Sequence, residues 1–173
     1  MKFSIGGEYE VSTETFWNHV FFRDDFTHAL YFDGLGFERV EILDTSLAET
    51  GDRTRHLLVQ PRLNIPRLIR GRIGDRLTYV EEGQFDAKRQ RWQTVLRLKG
   101  WEDKVKIRSE MSFTDIGRNH ALRHVEFDIE ARVMGLGRLV ERFLEGTLRE
   151  SYEDARMMTN MWIRTHIADE LRR

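Results

Sequence analysis

The chain has 173 residues, enough to bury a sizeable hydrophobic core within one domain. It carries no cysteine, which excludes a disulfide framework and a thiol nucleophile and suits a reducing compartment. Its 28 Lys and Arg against 29 Asp and Glu give a formal charge of -1, so the molecule as a whole is not a polycation for nucleic acid. Glu8 and Glu10 interrupt the only apolar stretch at the N-terminus, and no segment reaches about 18 consecutive apolar residues. A cytoplasmic chain without a membrane span is therefore expected. No repeat, low-complexity run or linker divides it, so a single domain over residues 1–173 is expected as well.

The opening segment alternates. Phe3, Ile5, Tyr9 and Val11 share one face at period two, which predicts a strand with one apolar side. Ser12 or Thr13 can cap a following helix, whose stripe is Phe16, Trp17, Val20 and Phe21. A second short helix is predicted after Arg23, with Asp24 or Asp25 near its start and Phe26, Ala29 and Leu30 along it, stopped by Gly34 and Gly36. Strands follow. Val40 and Ile42 are in phase, and Glu49–Asp52 reads as a turn. Arg55, Leu57 and Val59 then alternate against His56 and Leu58. From Pro61 to Gly74 the pattern breaks, and this stretch holds both prolines of the chain. Leu77, Tyr79 and Glu81 resume the alternation, although Glu82 and Gly83 predict fraying or a bulge. Asp86–Arg91 is a charged turn. Trp92, Thr94, Leu96 and Leu98 share a face, as do Val105, Ile107, Ser109, Met111 and Phe113. The last strand turns Val125, Phe127, Ile129, Ala131 and Val133 inward and His124, Glu126, Asp128, Glu130 and Arg132 outward, the habit of an antiparallel sheet with one wet face.

After Gly135 and Gly137 the period changes to three and four, through Leu136, Val140, Leu144, Leu148, Tyr152, Ala155 and Trp162. Continuous to Leu171, this helix is about 50 Å long at roughly 1.5 Å per residue. Gly146 within it leaves room for a close approach. The predicted class is α+β: a curved antiparallel sheet of about seven strands around a long C-terminal helix, with two short helices after the first strand. The apolar faces of sheet and helix must bury one another.

This order of elements resembles the helix-grip superfamily of START-like and Bet v 1-like domains, also called SRPBCC or polyketide cyclase-like. Local features are similar to one bacterial branch, DUF2505. They are the alternation Phe3–Val11, the helix start Thr13, Phe16 and Trp17, and the run Arg23–Phe26. At the other end stand Ile129–Val133 leading into Gly135, Leu136 and Gly137, then Leu139, Val140 and Glu141, and finally Trp162. The resemblance implies a cavity between sheet and helix. Helix-grip domains often bind lipids, polyketides or other apolar molecules; some are cyclases or hydrolases, and others are regulatory. The resemblance transfers no catalytic residue.

If the phases hold, Trp92, Leu96, Ile107, Met111, Phe113, Phe127, Ile129, Leu144, Leu148, Tyr152 and Trp162 face the groove, and Tyr79, Thr94, Ser109 and Tyr152 supply its polar groups. The alternative is an ordinary packed core. Arg62, Arg67, Arg70, Arg72 and Arg76 fall within fifteen residues among Leu63, Ile65, Leu68, Ile69 and Ile73. That mixture suits contact with an anionic membrane surface or an acidic head group, or a solvated loop whose arginines pair with nearby acids. No nucleic-acid motif surrounds it. The six histidines are scattered, no HExxH occurs, and neither a metal nor a cofactor is expected. His28 can approach Asp24 or Asp25. Among the acids Glu81, Glu110, Glu126 and Asp128, Glu81 keeps the inward parity of Leu77 and Tyr79, and a buried carboxyl there can act as a general acid. No nucleophile elbow, Walker loop or dinucleotide fingerprint is present. The favoured reading is a binding domain for an apolar or amphipathic small molecule. The alternatives are an enzyme on the same scaffold, with a carboxylate general acid or base, and a regulatory or interaction domain with a closed core. The oligomeric state is not legible.

Overall fold

The structure is a computed structural model describing residues 1–167, apart from the side chain of Ile73; the predicted continuation of the last helix to Leu171 lies outside the described residues. Seven strands form one sheet in the order β1-β7-β6-β5-β4-β3-β2. They are β1 (Lys2–Tyr9), β2 (Arg39–Leu47), β3 (Arg53–Gln60), β4 (Tyr79–Asp86), β5 (Arg91–Leu98), β6 (Val105–Gly117) and β7 (His120–Ala131). Every neighbouring pair is antiparallel. From β2 to β7 each strand pairs with the next in sequence. The first strand instead crosses the molecule to pair with the last, Phe3 opposite Phe127 and Ile5 opposite Val125.

Two short helices lie between β1 and β2. The first, α1 (Thr13–Phe16), widens into a π-helical turn, Trp17–Phe21; the second, α2 (Asp24–His28), does the same over Ala29–Gly34. The Ser12 hydroxyl accepts the Thr15 amide at 3.2 Å and caps α1. Thr13 donates its amide and its hydroxyl to Asp115 at 2.7 and 2.8 Å, which ties α1 to the far end of β6. Phe16, Trp17 and Phe21 are buried as their spacing predicted.

Pro61–Gly74 is not irregular throughout. Ile65 and Ile69 are buried and anchor a short helix, α3 (Arg67–Ile73), that the two prolines had obscured. Nor does β4 fray at Glu82 and Gly83: it stays in register with β3 and β5 to its end, Gly83 opposite Arg55 and Thr94. The glycine is needed there, since a Cβ would stand 1.8 Å from the Trp92 ring.

The long helix α4 (Gly137–His166) is about 45 Å long at roughly 1.5 Å per residue. Its start is fixed by close approach to β7. A Cβ on Gly137 would lie 2.5 Å from the Ala131 carbonyl oxygen, and Glu141 accepts the Ala131 amide at 3.1 Å. Near its end, buried Asn160 accepts the Glu10 amide and donates to the Glu8 carbonyl, both at 3.0 Å, so α4 is stitched to β1. Gly146 serves no close approach, because a Cβ there meets nothing within 4 Å. Val140 and Leu144 at one end and Met158, Trp162 and Ile163 at the other are buried. The middle of the same face, Leu148 and Tyr152, is only half-buried, because it stands over a void.

Candidate functional site

The void is a cavity of about 160 Å³ between the inner face of the sheet and the middle of α4. The pleat decides which side chains reach it. One row across the sheet runs Arg55, Gly83, Thr94, Ser109 and Phe127; the next runs Leu57, Glu81, Leu96, Ile107 and Ile129. Of the predicted groove residues, Tyr79, Trp92, Thr94, Leu96, Ile107, Ser109, Met111, Phe127, Leu144, Leu148 and Tyr152 border the cavity.

Three of the predicted groove residues do not. Phe113 has the expected inward parity but lies past the cavity's end, its ring 5.5, 4.5 and 5.5 Å from those of Tyr9, Phe16 and Trp17. Ile129 is fully buried near the β7–α4 junction, where helix and sheet meet without a gap. Trp162 packs against Phe26 at 5.2 Å and stacks on His166 at 4.5 Å. The correction has one physical cause: alternation gives the face of a strand and says nothing about where along it the covering helices touch.

Other cavity residues come from outside the predicted strand faces. Phe16, Phe21, Phe26, Leu30 and Tyr31 close it from the α1–α2 region, and Pro61 and Leu63 from the segment before α3. Two arginines were also missed. Arg55 is 6% exposed and Arg123 3%, and both border the cavity. Their signal was present, Arg55 being in phase with Leu57 and Val59 and Arg123 with Val125 and Phe127; their charge disguised it. Arg55 donates from Nη1 to the Phe21 carbonyl at 2.9 Å and to the Thr27 hydroxyl at 3.2 Å, and lies over the Phe21 and Trp92 rings at 4.6 and 5.4 Å. Arg123 donates to the Tyr9 hydroxyl and, at 3.1 Å, to the Tyr152 carbonyl, with its guanidinium 5.0 and 4.8 Å from those two rings.

Glu81 enters the same space and accepts the Tyr31 hydroxyl at 2.9 Å. It keeps accessible surface because it faces the cavity, yet it lies deep within the protein. Burial raises its carboxyl above the usual range, while the Arg55 charge and the Tyr31 bond act in the opposite direction. Burial and then the Glu81 charge raise the phenols of Tyr31, Tyr79 and Tyr152. The other candidate acids lie on the outer face: Glu110 is bound by Arg91 and Gln93, Glu126 sits beside His124, and Asp128 is outside the cavity lining.

The arginine cluster surrounds α3. Arg62 approaches Glu38 at 3.8 Å, and Arg70 approaches Asp75 at 3.3 Å and caps the Ile65 carbonyl at 3.0 Å. Arg67, Arg72 and Arg76 are exposed, beside an exposed Leu68; the predicted neighbour Ile73 has a side chain outside the described residues. His28 stacks on Phe32 at 5.7 Å rather than on an aspartate. Among the described residues no three His, Cys, Asp or Glu side chains converge as a metal site would require, and no helix is long and apolar enough to cross a membrane.

The sequence profile described as "Protein of unknown function (DUF2505)" matches residues 7–163. The chain belongs to the DUF2505 family. Solved structures share the fold of the chain. Zhui aromatase/cyclase from Streptomyces sp. R1128 superposes with a TM-score of 0.67 at 12% identity, over 96% of this chain and 95% of that one. Norcoclaurine synthase from Thalictrum flavum, in complex with dopamine and hydroxybenzaldehyde, gives 0.65 at 14% identity, over 96% and 87%. A START superfamily protein from Mycobacterium smegmatis gives 0.57 at 18%, over 89% and 92%. At these identities the likeness is one of fold. No curated protein matches the sequence. In this chain a curved sheet and a long helix leave a mostly apolar cavity of the kind that suits a small hydrophobic ligand.

Proposed function

We propose that this DUF2505 protein binds a small apolar or amphipathic molecule between its sheet and α4. One observation carries the reading: α4 is sealed to the sheet at both ends, while Leu148 and Tyr152 in its middle stand over about 160 Å³ of unfilled space. Close packing is the rule in protein interiors, so a void that large is a feature to be explained. Apolar cavities of roughly 150 Å³ admit a single aromatic ring, and drug-sized ligands take about 300 Å³ or more. The ligand that enters without rearrangement is therefore one ring or a short chain. The relative solved with dopamine and hydroxybenzaldehyde holds single-ring molecules on the same fold, which supports this size class.

A second reading is favoured by Glu81. It is the one carboxyl among the described residues that borders the cavity, and its raised pKa and bond to Tyr31 suit a general acid or base. Native mass spectrometry of freshly purified protein, followed by organic extraction, tests both. A stoichiometric passenger that is lost in Leu148→Trp supports binding and names the ligand class. A chemically different passenger in Glu81→Gln favours an enzyme. A bare mass, together with no stabilisation by indole, argues for a closed regulatory domain.

A further inference from the structure

Three charged side chains border the cavity: Arg55, Glu81 and Arg123. The two guanidiniums are almost wholly buried, and an interior charge is costly unless it is paired. Among the described residues neither forms an ion pair, and the Nε of each is buried without any hydrogen-bond partner. With Glu81 protonated, the wall carries two positive charges and no negative one. With Glu81 ionised, an excess of one positive charge remains. An apolar cavity built in this way is mismatched to a neutral hydrocarbon and complementary to an anion with an apolar body.

The two arginines are not equivalent. Arg123 has both terminal nitrogens engaged, one by the Tyr9 hydroxyl and one by the Tyr152 carbonyl, with the two tyrosine rings nearby. It ties β7 to β1 and α4. Arg55 makes both of its hydrogen bonds from a single nitrogen, Nη1. The Phe21 and Trp92 rings steady its guanidinium without using its remaining donors. Glu81 is diagonal to it on the neighbouring strand, since Leu57 opposes Glu81 and Arg55 opposes Gly83.

We propose that the cavity takes a small organic acid, aromatic or short-chain, whose carboxylate is held by Arg55 while its apolar body lies against Leu96, Phe127 and Leu148. This rests on the binding reading above and names the ligand's chemical class. The planar guanidinium is the side chain best matched to a carboxylate, and charge-assisted hydrogen bonds are the strong ones. A carboxylate at Arg55 also offsets the positive charge that favours ionised Glu81. Binding therefore favours the protonated form of Glu81 over the ionised one.

Titration calorimetry with matched probes tests the proposal. The probes are 3-phenylpropanoate against 3-phenylpropanamide and hexanoate against hexanamide, with indole as a neutral probe of the cavity. In the wild type each acid is expected to bind about tenfold or more tighter than its amide. In Arg55→Gln the preference should collapse to about twofold or less while indole still binds. If Arg55→Gln does not fold, Arg55→Lys, which keeps the charge but loses the fork, should weaken acid binding and leave amide binding in place. Equal binding of acid and amide by the wild type, or a preference that survives in Arg55→Gln, overturns the assignment while cavity binding stands. No binding of any probe, indole included, overturns the binding reading itself.

Discussion

Gly83 sits opposite Arg55 on one side and Thr94 on the other, and the space its side chain would fill is occupied by the Trp92 indole. Gly83→Ala places a methyl group 1.8 Å from that ring. The rigid indole and the strand backbone both resist movement, so the substitution should cost about 1–3 kcal/mol, as overpacking of a core does. Urea denaturation measures the loss, and tryptophan emission should shift with it. Glu81 makes a prediction of opposite character. Its carboxyl is raised above the ordinary 4.5 in the folded state, so the native protein holds a proton that the unfolded chain has already released. The stability it contributes is complete below about pH 4.5 and declines as pH rises through the folded value. Glu81→Gln cannot lose that proton, and its amide oxygen can still accept the Tyr31 hydroxyl. The difference in unfolding free energy between variant and wild type should therefore grow in the variant's favour from about pH 4.5 upward. Denaturant titrations at several pH values check this, and a constant difference would rule it out.

At the scale of elements, α4 is held at two points with a gap between them. Val140 and Leu144 pack near the Gly137–Ala131 contact, and Trp162 and Ile163 pack beyond Asn160. Between buried Leu144 and buried Met158 its inward stripe, Leu148, Tyr152 and Ala155, is only half-buried, over about three and a half turns. Asn160→Ala removes both partners of the Glu8 and Glu10 backbone groups. Each is then left partly buried and unpaired, so the loss should be about 2–4 kcal/mol by chemical denaturation. Hydrogen exchange should accelerate at the end of α4 before it does so in β6 or β7. The short helices α1 and α2 act as the other wall. Their π-helical turns widen the backbone just where Phe21 and Tyr31 point at the cavity, a common place for such turns.

For the whole molecule, the sheet cannot stand without its helix. Its inner face presents Trp92, Ile107, Met111, Val125 and Phe127, all buried in the intact protein. A chain ending at Met134 exposes that face to water and should lose its cooperative thermal transition while binding apolar dyes, which calorimetry and dye fluorescence would show. The pairing of β1 with β7 joins residues more than a hundred positions apart. Loop closure of that length comes late, so the short-loop hairpin β2–β3 and the meander β4 to β7 are expected to form first.

Much of this architecture was legible in the sequence. Period-two alternation turned Trp92, Thr94 and Leu96 inward on one strand and Ile107, Ser109 and Met111 on another, and the change to a period of three and four marked α4. These signals are local: they follow from the pleat and the helical turn, and each residue carries them wherever the chain goes. What only the tertiary structure decided is non-local. Phe113, Ile129 and Trp162 share the cavity's face but lie where α1, α2 or α4 already presses on the sheet. Arg55 and Arg123 also have inward parity, yet a guanidinium reads as solvent-facing until the rings of Phe21, Trp92, Tyr9 and Tyr152 are brought around it. Alternation determines which way a side chain points; what meets it there depends on packing between segments far apart in the chain, and that packing opens a charged cavity in an otherwise apolar core.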